Sequence, residues 1–383
     1  MSGPAAAGAA VARLGYRTLG TGYPADVVRT VGVEEELLLV DADTAEPRAV
    51  AGAVLAGQCA RTPVAELQQQ QLETNTDPCA TLDELRSEIR DWRRRAADLA
   101  SRQGTEVAAL ATSPLPVDPE LTPKGRYRRM ARAFGLTAQE QLTCGCHVHV
   151  QVDSAEEGVA VLDRIRPWLA PLLALSANSP LWQGRDTGYA SYRYQVFGRW
   201  PSTGPQELFG STEGYQHAVS ELLATGTLLD QGMVYFDARL SVRYPTAEVR
   251  ICDVCPEAED AVVLAALVRS LVETAARDWY DGVPAPRVSG AVLRLAAFRA
   301  SRSGLTGALV RPATHRPAAA RDVVEDFVDH VSDALKDTGD LALVRCGVER
   351  LLSCGTGAHW QREIHRHGGP TAVVREAVAR TGT

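Results

Sequence analysis

One stretch, Gly32-Val33-Glu34-Glu35-Glu36-Leu37-Leu38-Leu39-Val40, constrains the fold more than any other part of the chain. Its acidic start runs directly into a continuous apolar end, which predicts a β-strand. Side chains alternate between the two faces of a strand, so Glu34 and Glu36 would project to the same side. Two such carboxylates repel each other and are costly to bury unpaired, whereas a divalent cation would stabilise them. The alternative is a solvated edge of an antiparallel sheet.

Length and composition limit the class of protein. With 383 residues, 45% of them hydrophobic, the chain has ample apolar material for one large domain or two. A net charge of -7 disfavours a nucleic-acid partner. The sequence has no apolar run near the roughly 18 residues of a membrane span and no convincing signal peptide. We therefore expect a cytoplasmic protein without a membrane partner. Residues 1–28 would be a flexible segment, residues 29–383 a single domain, and about 290–383 its helical C-terminal part.

A second strand is predicted between Glu66 and Pro78, where Asp-Pro ends the pattern. Glutamine runs are usually low-complexity surface, but this run is short and closes with Glu-Thr-Asn-Thr. We therefore expect a strand with a functional polar face. That face would carry Gln69, Gln71, Glu73 and Asn75.

A third strand is predicted from Thr143 to Asp153. Its polar face would carry Gly145, His147, His149 and Gln151. One histidine on a strand is usually structural, whereas two on one polar face favour metal or phosphate contact by at least one of them. Cys144 and Cys146 add a resemblance to a zinc cluster, but their spacing differs from that of structural zinc sites. The eight cysteines are irregularly spaced, so we expect reduced thiols.

A fourth pair of strands is predicted at Met233 to Val242 and at Glu248 to Val254. Alternation would place Asp237, Arg239 and Ser241 on one face of the first strand. In the second, one face would carry Thr246, Glu248, Arg250 and Cys252. Acids and bases two residues apart also fit a simple cross-strand ladder of salt bridges. Either strand alone is compatible with that alternative.

Helices and a long loop fill the segments between these strands. A capping box at Thr81–Glu84 predicts a helix whose arginine-rich outer face is expected to be solvated. The helix after Ser154 is expected to be kinked near Pro167 and Pro171. The loop from 184 to 201 is long enough to be a lid or binding loop, and its arginines could bind carboxylate or phosphate. The alternative is a structural loop held by its aromatic residues.

Taken together, the strands predict an antiparallel sheet whose concave polar face binds a metal–nucleotide complex. Acids and histidines suit Mg²⁺ or Mn²⁺, and an adjacent arginine suits a phosphoryl group. No nucleophile paired with a base stands out. The glycine-rich turn at 355–358 lacks the Gly-Lys-Ser/Thr of a P-loop, and no dinucleotide-binding fingerprint follows a strand.

An ordered series of motifs resembles the glutamate–cysteine ligase type 2 family, and more closely its bacterial carboxylate–amine ligase branch. The resemblance covers nearly everything from about residue 29 to 383. The series is specific, although no single motif is. Its members are Gly32-Val33-Glu34-Glu35-Glu36, Glu66 with Glu73, Cys144-Gly145-Cys146-His147-Val148-His149-Val150, Ala177-Asn178-Ser179-Pro180, Thr187-Gly188-Tyr189-Ala190-Ser191-Tyr192-Arg193, Thr246-Ala247-Glu248-Val249-Arg250-Ile251-Cys252-Asp253, Arg302-Ser303-Gly304-Leu305 and Gly355-Thr356-Gly357-Ala358.

The resemblance implies an α+β fold like that of glutamine synthetase, with ATP and Mg²⁺ on the concave face of an antiparallel sheet backed by helices. It implies that ATP phosphorylates a glutamate-like carboxylate and that cysteine or another amine captures the acyl phosphate as an amide. Arg250 and Glu73 would be catalytic, and the substrate would contact Arg193, Glu66 and Tyr189. The implied metal ligands are Glu34, Glu36, Glu73, His147, His149 and Glu248.

Two other functions fit the same fold. A phosphagen-type kinase would transfer the phosphoryl group to one substrate without forming an amide. A non-catalytic sensor of nucleotides or amino acids would bind without turnover. Acids retained on several strands argue against the sensor. Exposed sheet edges and long helices also lead us to expect a homo-oligomer.

Overall fold

A seven-stranded antiparallel sheet forms the centre of the protein, which we describe from a computed structural model covering residues 28–58 and 61–382. The strand order is β2-β3-β1-β5-β9-β8, and β4 also pairs with β1. The remaining strands form two small hairpins, β6-β7 and β10-β11. The strands are β1 (Val31–Asp41), β2 (Val64–Ala65), β3 (Gln71–Asn75), β4 (Thr105–Ala108), β5 (Gly145–Gln151), β6 (Leu181–Trp182), β7 (Arg185–Asp186), β8 (Ala238–Leu240), β9 (Thr246–Asp253), β10 (Ala308–Arg311) and β11 (Arg316–Ala319).

Helices cover the apolar side of the sheet. In the described part of the chain they are α1 (Ala51–Val54), α2 (Leu82–Ser101), α3 (Gly125–Phe134), α4 (Leu136–Gln139), α5 (Ala155–Ile165), α6 (Leu169–Ser176), α7 (Tyr192–Phe197), α8 (Thr212–Ala224), α9 (Ala258–Tyr280), α10 (Gly290–Ser303), α11 (Ala320–His330), α12 (Ser332–Asp337), α13 (Leu341–Cys354) and α14 (Gly357–Thr381). Short 3₁₀ turns lie at Arg166–Trp168, Gln231–Met233 and Gly304–Thr306. The α+β class and the antiparallel sheet predicted from the sequence are confirmed. No described helix combines the length and the apolar character needed to span a membrane.

The central strand β1 has the predicted character of an acidic start and a buried end. Val31 and Val33 belong to a large apolar cluster together with residues of β5, β9 and α9. The run from Leu37 to Val40 is fully buried in a second cluster with residues of α1, α2 and α14. Burial on both faces explains why this end of the strand does not alternate.

Strand register brings the predicted polar residues side by side. On one edge of β1, Glu36 is opposite Glu73 of β3. On the other edge, Glu34 is opposite His147 of β5, and His149 is in turn opposite Glu248 of β9. Adjacent antiparallel strands hold such pairs close together, so four strands contribute to a single polar patch.

Several local expectations need correction. The arginine-rich face of α2 is not wholly solvated, because Arg93 is buried and donates to both carboxylate oxygens of Glu35 at 2.9 and 2.7 Å. Glu35 faces away from Glu34 and Glu36, so its charge needs a partner inside the core. The strand predicted from Glu66 begins only at Gln71. Just before it, the side-chain amide of Gln68 donates to the Ala138 carbonyl in α4, and that of Gln70 donates to the Asp118 carbonyl.

Other differences occur farther along the chain. The helix after Ser154 is interrupted by a 3₁₀ turn at Arg166–Trp168, which agrees with the kink expected near Pro167. The predicted helical part from about 290 to 383 also contains the β10-β11 hairpin. The expectation for residues 1–28 lies outside the described residues except at Val28.

Candidate active site

The polar face of the sheet holds a first group of potential metal ligands, formed by Glu34, His149 and Glu248. One ligand atom from each lies within 4.8 Å of the others. His149 Nδ1 is 3.0 Å from Thr246 Oγ1, which orients the imidazole ring. His149 Nε2 lies 3.3 Å from Glu34 Oε1 but is buried and makes no well-aligned hydrogen bond. That ring nitrogen is therefore available to a metal ion.

A second group is formed by three carboxylates, Glu36, Glu66 and Glu73, whose oxygens also lie within 4.8 Å of one another. Burial raises the pKa of Glu36 to about 7, although the Arg193 guanidinium opposes the rise. Burial and then the charges of Glu73 and Glu36 hold the pKa of Glu66 well above its usual range. Burial followed by the charge of Glu34 also raises the pKa of Glu73. A cation bound among these carboxylates would relieve their mutual repulsion.

Two arginines favour the ionised form of Glu248 in the first group, whereas the carboxyl groups of the second group have raised pKa values. Arg239 Nε donates to Glu248 Oε2 at 2.8 Å, and Arg250 Nη1 contacts Glu248 Oε1. Burial opposes ionisation of Glu248, but the charges of Arg250 and Arg239 outweigh it and lower the pKa of that carboxyl. Burial would also raise the pKa of Glu34, but the hydrogen bond with His147 and the close approach of His149 hold it well below its usual range. Both carboxylates are therefore ionised near neutral pH.

The two histidines occupy different positions in this site. His147 Nδ1 lies 3.3 Å from Glu34 Oε2, and burial followed by the charge of Arg250 lowers the pKa of His147 to about 4. Burial alone would lower the pKa of His149, but the close approach of Glu34 and the charge of Glu248 raise it. Within the described residues, only His149 of the pair joins a group with metal-ligand geometry. The structure therefore favours His149 as the ligand and His147 as a neutral neighbour of Glu34.

Arg193 is buried beside the second group of carboxylates. Its Nη1 donates to the Ile251 carbonyl at 3.3 Å and lies 3.9 Å from Asp253 Oδ1. The Arg193 Nε is buried without a hydrogen-bond partner among the described residues. The guanidinium is thus held by weak contacts, which leaves donors for a substrate anion.

Asp253 connects three of the motifs found in the sequence. Its carboxylate accepts hydrogen bonds from the backbone N–H of Asn178 at 2.8 Å, from Ser179 Oγ at 2.7 Å and from Ser191 Oγ at 2.8 Å. Ser179 Oγ also accepts from the backbone N–H of Arg193 at 2.9 Å. The Ala-Asn-Ser-Pro segment, the loop that ends at Arg193 and the end of β9 are therefore fixed to one another.

Tyr189 and the cysteine pair belong to neither of the two ligand groups found among the described residues. The Tyr189 ring packs against Phe298, with centroids 6.1 Å apart, and its carbonyl accepts from Arg362 Nη2 at 2.8 Å. Its predicted substrate contact stays a prediction. Cys144 and Cys146 are both buried and belong to neither group of potential ligands in the described chain. Burial raises the pKa of the Cys144 thiol above its usual range, which disfavours a thiolate there.

Sequence reasoning missed several site residues. Arg239 was noted only as part of a strand face, yet it is opposite Glu248 in the strand register and binds it. The acid–base alternation had suggested a salt-bridge ladder, and that ladder exists inside the site. Asp237, Tyr194 and Tyr235 line a pocket beside Arg193 and Arg250. Their convergence depends on loops whose paths a pattern of residue types does not specify.

The sequence and the fold of this chain are similar to those of known proteins. A profile of the glutamate–cysteine ligase family 2 matches residues 30–380. A Streptomyces coelicolor protein, provisionally named glutamate–cysteine ligase 2, is 56% identical over 92% of this chain and 99% of its own.

Solved structures of low sequence identity share the fold. The glutamate–cysteine ligase of Francisella tularensis in complex with AMP superimposes with a TM-score of 0.68 at 14% identity, covering 93% of this chain and 89% of that one. A bifunctional glutathione synthetase from Pasteurella multocida gives 0.67 at 15% identity, covering 92% of this chain and 52% of that one. The resemblance found in the motifs is thereby confirmed, and the chain belongs to the glutamate–cysteine ligase family 2.

Proposed function

We propose that this protein is an ATP-dependent carboxylate–amine ligase that joins a glutamate-like acid to cysteine or another amine through an acyl phosphate. The single observation that supports this most strongly is the pair of ligand groups on one sheet face, Glu34/His149/Glu248 and Glu36/Glu66/Glu73. The charge of Arg250 acts on Glu34 and Glu36 as well as on Glu248. Cation sites beside a buried arginine suit a polyphosphate better than a neutral ligand.

The residues of both groups fit Mg²⁺ or Mn²⁺. Carboxylates supply hard oxygen ligands, and His149 offers a buried nitrogen without an aligned partner. Bound metal ions would neutralise the triphosphate and the charge that develops during transfer. The Francisella ligase that shares this fold was solved in complex with AMP, which supports a nucleotide as a ligand of this chain. ATP is therefore the proposed phosphoryl donor.

The remaining residues position the reactants. Arg193, with its unsatisfied donor, would hold a carboxylate of the acid, and Arg250 would steady the transferred phosphoryl group. Glu73 belongs to the carboxylate group that aligns this end of the site. The acid's carboxylate oxygen attacks the γ-phosphorus and ADP leaves, after which the amine displaces phosphate from the carbonyl carbon. No covalent bond to the enzyme is needed.

Several wider expectations belong to the same proposal. Residues 29–383 would act as a single catalytic domain in the cytoplasm. The protein would use small-molecule substrates rather than nucleic acid or membrane, and would assemble as a homo-oligomer. Size-exclusion chromatography with light scattering tests the last point.

Phosphate release from ATP and Mg²⁺, measured across a matrix of amino-acid acids and amines, tests the function. A ligase requires both substrates and yields a product lighter by one water than their sum. Phosphoryl transfer to one substrate alone would instead identify a phosphagen-type kinase. Nucleotide binding without turnover for any pair would identify a sensor.

A further inference from the structure

A pocket of about 260 Å³ opens beside the ligand groups, between the sheet and helices α7 and α10. Arg193 and Arg250 form the side that adjoins the proposed phosphoryl-transfer site. The rest of the pocket uses residues to which the mechanism above gives no role. This volume suits a ligand smaller than a typical drug-sized molecule, such as a single amino acid.

The floor of the pocket carries a buried carboxylate, Asp237, which is 6% exposed. Its Oδ2 accepts a hydrogen bond from the Tyr194 hydroxyl at 3.2 Å. Within the described residues, Oδ1 has no hydrogen-bond partner and no cation lies within ion-pair distance of either oxygen. Burial raises the pKa of Asp237 to about 7, although Tyr194, Arg294 and Arg193 oppose the rise. The ammonium group of a ligand would supply the cation that this buried carboxylate lacks.

The walls of the pocket are largely aromatic. They are formed by Phe197, Tyr235, Phe236 and Phe298. The Phe197 and Tyr235 rings pack together with centroids 5.3 Å apart. The Arg193 guanidinium lies over the first ring and the Arg250 guanidinium over the second. Aromatic faces bind apolar groups and also attract cations. The walls are much larger and more apolar than a thiol requires.

The rim of the pocket carries a positive charge. Arg294 on α10 is exposed, lines the pocket and makes no hydrogen bond or ion pair with the described residues. Its charge is nevertheless near enough to lower the pKa of Asp237. A guanidinium at the mouth and a carboxylate at the floor together match a zwitterion.

We propose that this pocket binds the amine substrate, and that this substrate is an α-amino acid with an apolar or aromatic side chain. Its ammonium would lie on Asp237, its carboxylate at Arg294, and its side chain between Phe197, Tyr235 and Phe298. The inference rests on the proposed ligase function and deepens it by naming the class of acceptor.

The chemistry of amide formation balances with these groups. The ammonium gives one proton to the Asp237 carboxylate and becomes a free amine. Its lone pair forms the C–N bond, the bond from carbon to the phosphate oxygen breaks, and phosphate leaves. The second proton passes from nitrogen to the departing phosphate, and Asp237 later returns its proton to solvent.

Calorimetric titration tests binding independently of catalysis. L-Phenylalanine and L-leucine should bind the wild-type protein, and N-acetyl-L-phenylalanine, which lacks the ammonium, should not. Asp237→Asn should weaken binding about tenfold to a hundredfold, because it removes a charged hydrogen bond. The control Asp281→Asn, an exposed acid after α9, should leave binding at the wild-type value. Equal affinity of Asp237→Asn and wild type, or no binding by the wild type, would overturn the inference.

A second variant and a second assay complete the test. Phe298 is 46% exposed, so the Phe298→Ala variant should fold. With this variant, the ratio of kcat/KM for L-phenylalanine to kcat/KM for L-alanine as the amine substrate should fall about tenfold. An unchanged ratio would contradict the apolar pocket. Trapping with hydroxylamine, ATP and glutamate reports acyl-phosphate formation without an amino-acid acceptor. If hydroxamate forms but phenylalanine and leucine do not bind, this inference alone is refuted. If these amino acids bind but no hydroxamate forms, the proposed ligase function is refuted.

Discussion

Gly145 at the start of β5 is the position where the smallest change should damage the site most. A Cβ added there would lie 2.2 Å from Arg193 Nη2 and 3.0 Å from His147 Nε2. Ordinary contact begins near 3.4 Å, so the guanidinium must retreat by about 1 Å. The backbone N–H of Gly145 that donates to Glu36 Oε2 at 2.6 Å would remain. Gly145→Ala should therefore displace the Arg193 side chain without removing any of the potential metal ligands.

The size of the effect follows from how little room Arg193 has. Its side chain is 2% exposed and packed near Asp253 and over Phe197. A misplacement of about 1 Å in a positioning group can cost roughly 100-fold in rate. We expect Gly145→Ala to lower kcat/KM for the acid about 100-fold. The fold should survive, because the atoms to be moved are ends of side chains.

Gly32→Ala is the matched control on the neighbouring strand β1. Its added Cβ would meet Thr76 Oγ1 at 3.6 Å, an ordinary contact, so activity should change less than about threefold. Phosphate release at varied acid concentration measures both variants, with circular dichroism confirming the fold. If Gly145→Ala keeps more than half the wild-type kcat/KM, or if Gly32→Ala loses as much, the role given to Arg193 is wrong.

Three further predictions test other parts of the structure. Glu248→Gln should lower metal-dependent turnover by about 100-fold or more with the fold intact, whereas Glu221→Gln, at an exposed position, should not. Phosphate release across Mg²⁺ concentrations measures both variants. Activity retained by Glu248→Gln would contradict the assignment of Glu248 as a metal ligand. Glu35→Ala should lower the free energy of unfolding by about 3–5 kcal/mol, because it leaves Arg93 buried without its carboxylate. Urea unfolding measures this, and a loss below about 1 kcal/mol would show that the pair is solvated. Among the cysteines of the described residues, the exposed Cys346 and Cys354 should be alkylated first by iodoacetamide, as read by mass spectrometry, and early labelling of buried Cys146 would contradict the packing.

Alternation along the strands predicted which side chains of β1 and β5 come together on the polar face. Glu34 and Glu36 on β1 and His149 on β5 required only a period of two and a sheet to hold them. The order of the strands was not predictable from the same pattern. It required knowing that β3 and β5 flank β1, a relationship set by long-range packing and by the family resemblance.

The failures have local physical causes. A β-bulge places both Arg250 and Ile251 of β9 across from the single residue His147. After the bulge, the residues of β9 that would have faced the polar side of the sheet face the other side. Cys252, expected on the polar face, therefore lies in the apolar core. Arg93 was expected to be solvated because helical periodicity cannot show that Glu35 on another element needs its charge. Asp237 was noted as a strand residue and not as a site residue, because the strand pattern cannot show that residues of α7 and α10 form a pocket around it.

Transfer of labelled oxygen tests the central claim most directly. L-Glutamate labelled with oxygen-18 in its carboxyl groups is incubated with ATP, Mg²⁺ and an amine, and the released phosphate is analysed by mass spectrometry. If the carboxylate attacks ATP to form an acyl phosphate, each phosphate released should carry one oxygen-18 atom from the acid. Unlabelled phosphate formed together with the amide would contradict the acyl-phosphate route.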